Sequence, residues 1–303
     1  MAAELRTYGD TSIKESVLQQ IELLTALEDN LLTTFSKSPA QNTVHSSLTE
    51  TLRTPASQAV AESAVATLLA RTTPVRVTNL TEIVAIPFGI SGTQRAVSHF
   101  DYADEYTHQA EKAMLEWKNA AEFDLVRSTL VSGASGTAPK MTGVISSVST
   151  NATAETSGTI FSESIMNGLL QLTWTNSNGE VATDFYVGAQ IKRKISGFAG
   201  RTGSQTVTKD MMTAVNSIDF YISDFGEHRV HLHRFVFQAG TDATQRFLAI
   251  RPEKYSVAYL REPFLQELGK TGDFDQSQVI GELTLETKNE RTACYASGYH
   301  LTS

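Results

Sequence analysis

The stretch from residue 101 to residue 130, DYADEYTHQAEKAMLEWKNAAEFDLVRSTL, decides how this chain is read. Tyr102, Tyr106, Ala110, Met114, Trp117, Ala121 and Leu125 recur at steps of three and four, the period of one helix face. Glu111, Lys112, Glu116, Lys118 and Glu122 fall on the other face. Asp101 is placed to cap the first turn, and Asp104 and Glu105 suit the positive end of the helix dipole. The pattern predicts a helix from Tyr102 to Leu130, about 40 Å long at 1.5 Å per residue. A helix of that length is a spine for sheets to pack on.

Upstream, Ser12 and Glu15 have capping-box spacing, and Ile13, Val17, Ile21, Leu24, Leu27, Leu31 and Phe35 form an apolar stripe that ends at Ser38-Pro39. Between residues 39 and 98 the chain is rich in hydroxyls and poor in large apolar residues. Ser57 to Ala70 could be helical. Val75 to Asn79 and Glu82 to Pro87 read as strands on their β-branched residues. So long a stretch with so little to bury makes a poor core, and fits a two-stranded extension covered by something else.

Downstream, Ser132 to Gly136 ends the spine, and Met141 to Val148 reads as a short strand. Helices are expected at Phe161 to Leu172 and Phe185 to Ser196, with a turn at Asn178-Gly179 between them. Strands are expected at Ser217 to Ser223, Arg229 to Ala239, Arg246 to Arg251 and Tyr255 to Leu260, with two more over Val279 to Tyr299. Helices and strands mix without βαβ regularity, so the class is α+β.

The chain has 303 residues and a net charge of -8, and 19% of its residues are charged. That balance excludes a binder working by broad phosphate neutralisation. One cysteine, Cys294, excludes an internal disulfide framework and cysteine-based metal clusters. No apolar run is long enough for a membrane helix, and the first residues lack a secretory h-region.

No catalytic constellation emerges. His231 and His233 share a strand face and could present two imidazoles to a metal as a metallohydrolase would, but no third ligand stands at complementary spacing. Gly269-Lys270-Thr271 ends like a phosphate loop, yet Leu265 stands where that loop needs glycine. Lys192, Arg193, Lys194 and Arg201 form the one basic run, facing either DNA or another subunit.

Several segments, in order, resemble one branch of the tailed-phage major capsid proteins of Hong Kong 97-type fold. They are His45 to Leu52 with Pro55, Arg76-Val77-Thr78-Asn79-Leu80-Thr81-Glu82-Ile83, Gly89 to Val97, Lys140 to Val144, Tyr221-Ile222-Ser223-Asp224-Phe225-Gly226, Leu268 to Asp273 and Glu282 to Glu290. The resemblance implies an N-terminal arm (1–38), an extended loop (39–98), a peripheral domain with the spine helix (99–159), an axial domain (160–254) and peripheral return strands (255–303).

It also implies a structural protein rather than an enzyme, with no cofactor. Such a subunit assembles in the host cytoplasm into hexamers and pentamers, forming the virion's icosahedral shell around double-stranded DNA held without sequence specificity. Expected partners are a separate scaffolding protein, a portal and a decoration protein, with no membrane. Expected interface residues are Ile21, Leu24 and Leu31 on the arm and Arg71, Arg76, Glu82 and Arg95 on the extension. No lysine lies between Lys37 and Lys112, so no isopeptide cross-link is expected from the loop. Alternative readings are a nanocompartment shell of the same fold, or a receptor-binding or tail protein.

Overall fold

The described chain opens with a single helical turn, α1 (Asn30–Thr34), then β1 (Ser36–Pro39), β2 (Val44–Thr49), β3 (Val75–Leu80), β4 (Glu82–Ser91), α2 (Gly92–Ala96) and the spine, α3 (Glu105–Arg127). It continues through α4 (Val144–Ser147), β5 (Ala152–Ala154), α5 (Glu163–Asn176), β6 (Asp184–Val187), α6 (Ala189–Ala199), β7 (Phe220–Ser223), β8 (Gly226–Leu232) and β9 (Gln245–Ile250). The last three strands are β10 (Tyr255–Glu267), β11 (Phe274–Thr287) and β12 (Cys294–Tyr299). This computed structural model describes residues 30–98, 104–155, 159–199, 220–236, 245–270 and 272–300.

The strands form three sheets: β1-β10-β11-β4, β5-β12-β9-β6-β8-β7, and the two-stranded ribbon β2-β3. The split does not follow the expected segments. β4, expected within the extension, is an edge of the four-stranded sheet, and the C-terminal segment sends β12 into the six-stranded one. Pro87 lies on the edge strand β4, opposite Gln278. Proline cannot donate to a further strand, so that edge resists extension.

The spine packs on the four-stranded sheet through Ala113, Trp117, Ala121, Leu125 and Val126, all buried. Its cap is Asp104, whose carboxylate accepts from Tyr106 N–H at 3.3 Å; Asp101 lies outside the described residues. Trp117 donates to the Val84 carbonyl at 2.9 Å, and Gly281 leaves room for its ring. A Cβ at Gly281 would stand 2.6 Å from that ring, so glycine is required by close approach rather than by backbone angle.

A second core lies on the six-stranded sheet, where Met166, Leu169 and Leu170 of α5 and Ile191 and Ile195 of α6 meet Phe161, Phe185 and Phe247. Cys294 belongs to this core, and burial pushes its thiol up to about 12. Asn178 and Gly179 both have positive φ, as the predicted turn requires.

Four local expectations fail. Met141 to Val148 is not a strand: α4 occupies part of it, because Gly143 packs its Cα against the end of the spine, where a Cβ would sit 2.9 Å from Asp124 O. Phe185 to Ser196 is not one helix but β6 followed by α6, broken at Gly188. Ser57 to Ala70 forms no helix. Glu122, assigned to the solvent face of the spine, is fully buried.

Candidate intersubunit surface

The ribbon β2-β3 pairs Val44 with Leu80 through to Thr49 with Val75. Beyond it residues 51–74 form no helix or strand, only a turn where Ala64 N–H donates to Ala61 O at 3.2 Å. Ser63 sits in that turn with φ +62°. Thr72 Oγ1 donates to Thr51 O, closing the neck of the loop. Leu52 is 96% exposed and Leu68 is 98% exposed, with Val60 and Val65 nearly as bare. Each such side chain would gain about 1.5–3 kcal/mol if fully covered. Nothing in the chain's own described residues covers them.

The root of the ribbon is well fixed. Asn79 donates from Nδ2 to Leu285 O at 2.8 Å and Thr142 O at 3.1 Å, and its Oδ1 accepts from Thr142 N–H at 2.7 Å and Leu80 N–H at 2.9 Å. Ser47 Oγ donates to Thr287 O at 3.1 Å. His45 Nε2 lies 3.5 Å from the Glu286 carboxylate. Burial raises the Glu286 carboxyl, but hydrogen bonds from Ser256 and Ser38, with His45 close by, leave it below the usual range. A groove of about 940 Å³ runs beside this root, lined by Leu48, Thr73, Val77, Asn178 and Arg291 among others.

The expected interface residues divide. Arg71 and Arg76 are exposed and make no ion pair among the described residues. Ile21, Leu24 and Arg201 lie outside the described residues. Leu31 and Glu82 are corrections. Leu31 is wholly buried in the chain's own core, because α1 docks on the spine. Glu82 is buried as well: it accepts from Met141 N–H at 3.1 Å and Ser128 Oγ at 3.3 Å, and burial, then the nearby Asp124, raises its carboxyl. Arg95 is engaged within the chain, 2.7 Å from Asp275, 3.4 Å from Asp104 and over the Tyr106 ring. Those bonds hold the guanidinium above its ordinary value and, with Lys270, the Asp275 carboxyl below its own.

In the basic run, Lys192, Arg193 and Lys194 lie on α6, whose Ile191 and Ile195 face the core. Lys192 Nζ donates to Val230 O at 3.2 Å, and Arg193 is exposed. Lys270, which lies between β10 and β11, pairs with Asp275.

The histidines are each taken up by structure. His228 donates from Nδ1 to Ala182 O at 2.7 Å, so its Nε2 accepts from Ser223 at 2.7 Å. Burial holds its pKa below the ordinary histidine value. His231 pairs with Asp184 at 3.0 Å and stacks on Tyr186. His233 Nδ1 accepts from Phe235 N–H at 3.2 Å, so Nε2 carries the proton donated to Glu122 at 2.7 Å. Among the described residues, no group of three His, Cys, Asp or Glu could hold a metal ion.

Glu122 also accepts from Leu31 N–H and Leu32 N–H, both at 2.8 Å. This junction of arm, spine and the residue that follows β8 has no signature in the sequence, and neither does most of the Asn79 socket. For Asn79 a signal existed: asparagine is depleted in strands, and it stands at the end of a β-branched run.

The profile of the SU10 major capsid protein family matches residues 4–300. No curated protein matches. Among solved structures, the capsid of a native GTA particle aligns at TM-score 0.71 and 11% identity over 97% of each chain. A chain of the Gordonia phage Cozz structure aligns at 0.63 and 12% identity, over 98% of this chain and 93% of the other. The SrpI encapsulin of Synechococcus elongatus aligns at 0.67 and 10%, over 99% and 98%. At these identities the likeness is one of fold, and that fold is the Hong Kong 97 type expected from the sequence.

Proposed function

Because the chain belongs to the SU10 major capsid protein family, we propose that it assembles into hexamers and pentamers forming an icosahedral shell around double-stranded DNA. The observation that supports this most is the extension, a pinned ribbon carrying a loop whose apolar residues have no cover among the described residues. A neighbouring copy supplies the missing cover. Many modest contacts of this kind, closed by symmetry, build a shell without any one of them being strong. Exposed Arg71 and Arg76 set register between copies more than they add affinity. The domains follow the segments expected from the sequence except at three strands: β4 serves the peripheral sheet, and β5 and β12 serve the axial one.

DNA is enclosed rather than gripped, as a net charge of -8 suits. Scaffolding, portal and decoration proteins complete the particle, which assembles in the host cytoplasm. With no lysine between Lys37 and Lys112, the extension forms no isopeptide bond; covalent ladders on a denaturing gel of mature particles would refute this. Negative-stain microscopy tests the whole reading. Closed shells are expected, and tubes, trimers or monomers would overturn it. The likeness to the SrpI encapsulin favours one second reading, a protein-filled compartment. The absorbance ratio of purified shells separates nucleic acid from protein contents.

A further inference from the structure

The root of the extension is more constrained than the rest of it. Asparagine's side-chain amide offers two N–H donors and one oxygen with two acceptor sites, and Asn79 uses them all. It meets Thr142 through both its N–H and its carbonyl, as a neighbouring strand would, and reaches β11 at Leu285 with the remaining donor. On the other strand of the ribbon, Ser47 and His45 contact Thr287 and Glu286, the next two residues of β11. Both strands are therefore pinned to three consecutive residues of one long strand.

We propose that Asn79 sets the direction in which the extension leaves the body, and that this direction selects the curvature of the assembled shell. The inference rests on the assembly reading above. Leverage supports it: a ribbon of six residues spans about 20 Å at roughly 3.3 Å per residue, so a 10° swing at the root displaces its end by about 3 Å. A shift of that size removes van der Waals contact at the far end. No common replacement fills the socket. Aspartate lacks the donors and would face two carbonyl oxygens, alanine leaves the Thr142 groups unpaired, and glutamine is a methylene too long.

The test compares full-length Asn79→Ala with a deletion of residues 53–72, reading subunit melting and the diameters of the particles formed. The deletion should prevent shells; normal shells from it would refute the assembly reading. Asn79→Ala should assemble into particles whose diameters are shifted and broadened relative to wild type. Wild-type diameters from Asn79→Ala, with or without a lower melting temperature, overturn the inference and leave the assembly reading intact. Should Asn79→Ala fail to fold, the double variant Ser47→Ala/His45→Ala loosens the same root from β2. Altered diameters from it support the proposal, and unchanged ones overturn it.

Discussion

Leu125 and Leu68 carry the same side chain to opposite ends. Leu125 sits on the spine, fully buried among residues of both sheets, whereas Leu68 stands in the extension with 98% of its surface open. Around Leu125 the chain supplies every neighbour it needs, and polar groups such as Glu122 find donors inside the fold. Around Leu68 it supplies almost none. A folded chain tolerates such apolar exposure, yet a contiguous patch of it marks an interaction site. Among the described residues, the spine's apolar face is thus covered by its own chain, and the apolar side chains at the tip of the extension are not.

Replacing Trp117 by alanine strikes the body hardest. It empties a large core volume and strands the Val84 carbonyl, so a loss of about 3–5 kcal/mol is expected from urea unfolding of the isolated subunit. A loss below 1 kcal/mol would mean the spine is not the keystone described. Glu122→Gln keeps the shape but replaces one acceptor oxygen with an NH2 group, which faces donors that need an acceptor. Roughly 1–3 kcal/mol should be lost, with arm residues near Leu31 becoming faster in hydrogen exchange than the rest of the core.

A smaller effect follows pH. The folded-state pKa of His228 lies below its unfolded value near 6.5, so between the two the unfolded chain binds more protons. Its contribution is present above about 6.5 and is lost as pH falls toward the folded value. Glu82 and Asp124, raised chiefly by burial, act in the opposite sense. The His228 share is therefore read as a difference: the urea midpoint of wild type should fall more from pH 7.5 to 5.5 than that of His228→Gln. Equal falls would remove His228 from the account.

The smallest effect on the monomer belongs to the extension. Leu68→Ser should leave subunit stability within about 0.5 kcal/mol while lowering the yield of shells. A destabilised monomer would erase the contrast between the two regions.

What the sequence shows follows the same division. The spine, strands β3 and β4, most later strands and the buried Cys294 announce themselves by period and composition, because a local pattern decides which side meets water; β2, the partner of β3 in the ribbon, does not. Glu122 does not, since its donors lie 91, 90 and 111 residues away along the chain. An acid on a helix reads as solvated until those groups are brought to it. Leu31 and Glu82 were misplaced for the same reason: an apolar stripe or an exposed-looking charge cannot say whether its partner is in its own chain or another. Met141 to Val148 reads as a strand through Thr142, Val144, Ile145 and Val148, while Gly143 and the end of the spine settle its shape.

The Glu122 junction has a bearing on processing. Two of the three donors to that sealed carboxylate are the backbone amides of Leu31 and Leu32. A cut ahead of that point keeps both amides on the carboxylate. One cut further would leave a buried negative charge facing His233 alone, and the folded subunit would give way. The junction is therefore expected to act as a stop for trimming. Limited digestion should yield a stable fragment whose new N-terminus lies before Leu31, and stable fragments starting beyond Leu32 would show that the stop does not hold.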